Sequence, residues 1–138
     1  MIVDATDLIV GRMATRIAKM ALLGEKVDVV NCEKAIITGS RRQILARYFQ
    51  KRNFGEPLKG PVQFRMPDRF VRRIIRGMLP HKKEKGKVAF KRIMCYIGVP
   101  DEFKDQKLET FEDANVRKIK NTRFTTILDI SREIGAKI

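Results

Sequence analysis

Four arginines, Arg69, Arg72, Arg73 and Arg76, stand three and four residues apart within "MPDRFVRRIIRGMLPHKKEKGK", residues 66–87. A helix over 67–79, advancing about 100° per residue, brings all four within about 60° of Arg69 and turns Phe70, Val71, Ile74, Ile75 and Met78 to the opposite side. A guanidinium is a planar fork of donors that fits phosphate oxygens two at a time, so four on one face make a surface for a polyanion. The competing reading is the solvated face of an ordinary amphipathic helix. Such faces mix signs, because like charges at these spacings repel. No acid interrupts these four, and the whole stretch sets nine basic side chains, His81 included, against two acidic ones.

The surroundings extend the pattern. Lys34 opens the basic region and Arg65 precedes the helix, while His81, Lys82, Lys83, Lys85 and Lys87 follow Pro80. Residues 82–87 carry few apolar anchors, which predicts a tail that orders against a partner. Arg41, Arg42, Arg47, Lys51 and Arg52 fall on a helix expected over 40–52, whose core side is Ile44, Leu45, Tyr48 and Phe49. Arg12, Arg16 and Lys19 share a third helical face, which reads equally well as solvated. A small anion needs two or three such groups in a pocket; basic faces spread this widely fit a nucleic acid. No helix-turn-helix, zinc-finger or basic-zipper pattern points to DNA, and aromatic residues are only 7% of the chain. Recognition of a folded shape through phosphates and 2′-hydroxyls points to structured RNA.

Other chemistry is thinly represented, and no catalytic residue, cofactor or metal is expected. His81 is the single histidine, and Cys32 and Cys95 lack metal-ligand spacing and read as reduced core thiols on neighbouring strands. The acids of "PDEF" and "FEDA" read as a solvated loop. The turn around Gly11 has one glycine where a dinucleotide fingerprint needs three, and no Walker pattern occurs. "ITGSRR", with Gly39, is either a capped turn or a helix N-terminus for one phosphate.

The elements that must hold these groups are those of an α/β domain. "MIVDA" reads as a strand, with Thr6 and Asp7 as helix caps. Val10, Met13, Ala14, Ile17, Ala18 and Ala21 follow helical spacing up to Gly24. "KVDVVNC" is a buried strand and "AIIT" another; Ser40 and Gln43 then form a capping-box pattern. That order predicts βαβ units and a mainly parallel central sheet, and "RIMCYIGV" adds a further central strand. Residues 53–66 form a long excursion, expected to wrap RNA and to be mobile in the free protein. The acidic 101–113 stretch is expected at the surface, and a strand and a short helix opening near Asp129 close the chain.

Length and charge agree with one domain over 1–138. There are 30 Lys and Arg against 16 Asp and Glu, for a net charge of +14. Residues 34–92 hold 18 basic and three acidic side chains, so the whole excess lies there. No apolar run of about 18 residues predicts a membrane span. The N-terminus has acids where a signal peptide is basic, so a cytoplasmic location is expected.

The segments "VNCEKAIITGS" and "RMPDRFVRRIIRGMLPHKK", with the opening "DATDLIVGRMATRIAKMALLGEKVDVVN", resemble the family of the thirteenth large-subunit ribosomal protein. "YIGVPDEFKDQKLETFEDA" is similar to its archaeal form. The resemblance implies a three-layer α/β/α domain, large-subunit rRNA and neighbouring large-subunit ribosomal proteins as partners, a role early in assembly, and no catalysis, membrane or small-molecule substrate. It also implies that Arg69, Arg72, Arg73 and Arg76 face rRNA, with His81, Lys82 and Lys83 continuing along it. Two alternatives remain open at this point: a regulator of structured mRNA, and a phosphate-ligand enzyme on a Rossmann-like fold.

Overall fold

Val27–Val30 (β2) is buried along its whole length because it has a strand on either side. The computed structural model describes residues 1–56, 58–119 and 123–138. Ile2–Asp4 (β1) and Ile93–Cys95 (β4) both run parallel to β2, with Val3 opposite Val29 and Val29 opposite Cys95. The crossover from β1 to β2 is Val10–Leu23 (α1), which buries the six apolar residues its spacing picks out. Gly24 ends α1 at φ 113°, a left-handed conformation that only glycine adopts without strain. One continuous apolar cluster joins α1, the sheet and the remaining helices. The α/β class and the parallel sheet are as the sequence predicts.

Ile36–Thr38 (β3) departs from the expected pattern. It lies antiparallel to Phe124–Thr126 (β5) in a separate two-stranded sheet, with Ile36 opposite Thr126. The reason is chain length. Five residues link β2 to β3, whereas a parallel return needs a crossover of a dozen or more. Asn31, at φ 55°, turns the chain aside instead. β4 is likewise an edge strand of its sheet among the described residues, not a central one.

Arg41–Asn53 (α2) and Pro67–Gly77 (α3) carry the two main basic faces. Proline at the first position and Asp68 in the first turn start α3 where a fixed φ and a negative charge are favoured. α3 buries Phe70, Val71 and Ile75, and Phe70 meets Tyr48 of α2 with ring centroids 4.8 Å apart. Met78 falls beyond the helix and is exposed, contrary to its place on the predicted core side. Two expected caps are not made. α1 begins after Ile9, because Thr6 instead donates its N–H and hydroxyl to Asp4. Ser40 precedes α2 without a side-chain cap bond.

The basic tail is the largest correction. Glu84–Lys91 (α4) is a helix docked on the protein itself, burying Gly86 and Ala89. Gly86 lies so close to the Pro80 carbonyl that a Cβ there would fall 2.1 Å from its oxygen. The final helix, Ile127–Glu133 (α5), opens at Thr126 rather than at Asp129. The Thr126 hydroxyl oxygen accepts the Asp129 N–H at 3.1 Å, and the hydroxyl donates to the Asp129 carboxylate at 2.7 Å.

Residues 101–113 are largely exposed, as expected, yet the segment that contains them is anchored. Glu109 exchanges backbone hydrogen bonds with Ile2 and Asp4 along the outer edge of β1, and the Ile9 N–H donates to Ala114. That pairing covers a strand edge that would otherwise expose its backbone.

Candidate nucleic-acid interface

The four arginines of α3 converge as their spacing predicts. Arg69, Arg72, Arg73 and Arg76, together with Phe64 and Phe90, line an open hollow of about 380 Å³. Arg69 and Arg73 are exposed; Arg72 and Arg76 are half-buried. The Arg72 guanidinium sits 4.5 Å from the Phe90 ring centroid, and that of Arg73 sits 5.9 Å from Phe64. These cation–π contacts hold the guanidiniums near the rings without neutralising them. None of the four pairs with a carboxylate among the described residues. The buried Nε of Arg72 has no acceptor among the described residues. A cluster of this kind is electrostatically incomplete until an anion arrives.

The hollow continues into two neighbours through shared walls. Arg73 also lines a concavity of about 440 Å³ with Lys51, Tyr48, Phe54 and Val62. Phe54, Pro61, Val62 and Gln63 then form the wall of a third, of about 430 Å³, which holds Arg52 and Arg65. Those two guanidiniums approach the same point: a Cβ on Gly135 would lie 3.4 Å from Arg65 Nη1 and 3.8 Å from Arg52 Nη1. Arg52 also donates to the Ile134 carbonyl at 3.2 Å. Lys51 lies 5.2 Å from the Tyr48 ring centroid, and burial followed by the charge of Arg47 lowers its pKa. Burial raises the pKa of the Tyr48 hydroxyl. The result is a belt of basic side chains along α2, the 54–66 excursion and α3. The excursion folds on itself, the Gly60 N–H donating to the Glu56 carbonyl at 3.0 Å.

The remaining candidates lie elsewhere. Arg12 and Arg16 both hold Asp113, Arg16 through an ion pair and Arg12 through its backbone carbonyl at 3.2 Å. Arg16 also covers the Phe111 ring. Lys19 and Lys85 share a groove between α1 and α4. Arg41 pairs with Glu133 at 2.9 Å, and Lys87 faces Glu84 at 3.8 Å. Arg42, Arg47, Lys34, Lys82 and Lys83 are exposed, while His81 is half-buried with Nδ1 3.4 Å from the Leu79 carbonyl. Phe64 and Phe90 are the two site residues that sequence reasoning missed. Their signal was position, one ring shortly before the arginine helix and one after it, and a low aromatic fraction hid it.

Gly11 and the two cysteines, the other groups with chemical potential, take ordinary places in the fold. Gly11 lies inside the first turn of α1, and a Cβ there would meet nothing within 4 Å, so no close approach within the protein requires that glycine. A hydrogen bond with Cys95, and burial, raise the Cys32 pKa well above the ordinary thiol value. A protonated buried thiol is a poor nucleophile. No group of three or more His, Cys, Asp or Glu side chains among the described residues could hold a metal. No helix there is long and apolar enough to cross a membrane.

A family model described as ribosomal protein L13 matches residues 1–102. The large ribosomal subunit protein uL13 of Methanococcoides burtonii is 41% identical over 99% of this chain and 98% of its own length. The proteins of the same name from Sulfurisphaera tokodaii and Archaeoglobus fulgidus are 42% and 40% identical. Each alignment covers 97% of this chain, and 93% and 86% of the respective relative. With the matched residues running through the arginine helix and both strands that flank β1's crossover, the chain belongs to the ribosomal protein L13 family.

Proposed function

We propose that this protein is a structural constituent of the large ribosomal subunit that binds large-subunit rRNA and helps it fold during assembly. The observation that carries the reading is the hollow of four unpaired arginines on a rigid helix, continuous with a basic belt. The α/β core fixes those guanidiniums, so phosphates meet them at set positions of a folded RNA rather than along any strand. The exposed lysines of 82–87, ahead of α4 and along its first turn, add a further basic surface outside that belt, and the 54–66 excursion wraps RNA from the other end of the belt. Neighbouring ribosomal proteins complete its surroundings on a cytoplasmic ribosome. Its role is structural, with no catalytic step.

The test is a binding titration of the full chain against fragments of large-subunit rRNA and an unrelated structured RNA of similar size, at several salt concentrations. Selective tight binding to one fragment supports the proposal; equal binding to both RNAs contradicts it. With six to ten phosphates neutralised, affinity falls by roughly 10³- to 10⁵-fold between low and physiological salt.

A further inference from the structure

We propose that the hollow between Phe64 and Phe90 holds one unpaired nucleotide, its base stacked against the arginine–phenylalanine walls and its phosphate on the outer arginines. This rests on the RNA-binding reading above and narrows it, since the face then reads an extruded base as well as a backbone.

Four observations converge on a base. Phosphate tracking needs charge alone, yet two rings from separate segments, the excursion before α3 and the end of α4, close on this one cluster. Arg72 and Arg73 already lie over those rings, so guanidinium and ring present adjoining flat surfaces to a ligand. Unstacked bases are recognised on such aromatic and guanidinium planes. The volume of about 380 Å³ sits near the lower end of the roughly 300–1,000 Å³ range of ligand pockets. That suits one nucleotide rather than the groove of a duplex. Among the described residues the buried Arg72 Nε lacks an acceptor, and Asp68, one turn earlier, does not supply it: its own Oδ1 is also buried and unpaired there. A base carbonyl or a phosphate oxygen completes that donor, which is costly to leave unmade. A base inside a duplex presents only its edges, so the nucleotide must be extruded.

The experiment compares the full chain binding a short, perfectly paired RNA duplex with the same duplex carrying one bulged adenosine, by fluorescence anisotropy at several salt concentrations. The bulged duplex is expected to bind tighter by on the order of 5- to 100-fold, the contribution of one stacked base. Phe64→Leu removes that preference and leaves the salt slope unchanged, because every phosphate-binding cation is still in place. Arg72→Lys keeps the charge but not the plane, and loses most of the preference as well. Thermal unfolding of each variant confirms a folded protein, and the loop position of Phe64 makes its variant the safer of the two. Equal binding to the two duplexes overturns the proposal, as does an unchanged preference in both variants. Adenosine monophosphate matching the bulged duplex in affinity overturns it too, by making the hollow a free-nucleotide site. Selective rRNA binding without bulge preference sinks this inference alone; bulge preference without selective rRNA binding sinks the ribosomal reading alone.

Discussion

At the scale of single residues, the side chains that matter are those whose partners are few and named. Asp4 accepts the Thr6 N–H at 3.0 Å, the Thr6 hydroxyl at 2.7 Å and the Asn31 amide at 3.0 Å. Burial raises its pKa, but those hydrogen bonds and the charge of Lys34 outweigh it and hold the carboxyl below its ordinary value. A depressed folded pKa gives stability that is present above the unfolded value and is lost as pH falls through the folded one. Urea midpoints measured from neutral to strongly acidic pH therefore decline below the ordinary Asp range, and Asp4→Asn flattens that decline. The Arg16–Asp113 pair stands in contrast. Its side chains are 49% and 62% exposed, so Asp113→Asn changes the unfolding free energy by less than about 1 kcal/mol. Residue-scale roles were only partly legible in the sequence. Asp4 and Thr6 stand two apart and satisfy each other, which removed Thr6 as a helix cap. Asp113 meets Arg12 and Arg16 across about a hundred residues, and no local pattern foretells such a meeting.

At the scale of elements, α3 combines a core face and a charged face with opposite demands. Its core face buries Ile75 completely, and Ile75→Ala is expected to destabilise by about 2–5 kcal/mol. Its charged face sets Arg69 and Arg76 each one turn from Arg72 and Arg73, and like charges at these spacings cost about 0.2–0.5 kcal/mol per pair. The double variant Arg69→Ala/Arg76→Ala removes all of those neighbours and touches neither ring contact. It should gain about 1 kcal/mol of stability at low salt while losing RNA affinity, a trade typical of functional positions. A denaturant titration at low salt measures the gain, and wild-type stability in the variant would count against stored repulsion. The α3 face was readable because period, Pro67 and Asp68 all agree. α4 was not readable: its lysines read as a tail that orders only against a partner, while its packing rests on Gly86, whose meaning depends on the Pro80 carbonyl it meets. Gly86→Ala is expected to destabilise by about 1–3 kcal/mol through that clash, with faster amide exchange across 84–91. β3 was legible as a strand but its pairing was not, since its partner β5 lies at the far end of the chain and pairing at that distance leaves no local trace.

At the scale of the whole molecule, charge is segregated along the chain and then in space. Most of the excess of residues 34–92 gathers on α2, α3, the excursion between them and the 82–92 segment that contains α4, while the acidic 101–113 stretch ties down α1 through Asp113 and the edge of β1 through the Glu109 backbone. Self-repulsion of this kind weakens a free protein and is relieved by a polyanion. The isolated chain should therefore unfold at higher temperature as salt rises, over the same range in which its RNA affinity falls. The segregation itself was visible in the sequence as a shift in composition. What composition could not show was that two phenylalanines stand among the arginines, because folding alone brings residues 64 and 90 together.

The measurement that tests the central claim most directly is the salt dependence of binding to the selected rRNA fragment for wild type and for an Arg69/Arg72/Arg73/Arg76→Ala variant with a confirmed native fold. The variant is predicted to bind far more weakly and with a shallower slope, its log affinity changing by roughly 0.7–0.9 less, for each tenfold change in salt, per phosphate it no longer neutralises. An unchanged affinity and slope would mean that the arginine face of α3 is merely solvated, and that rRNA, if bound, is held by another surface.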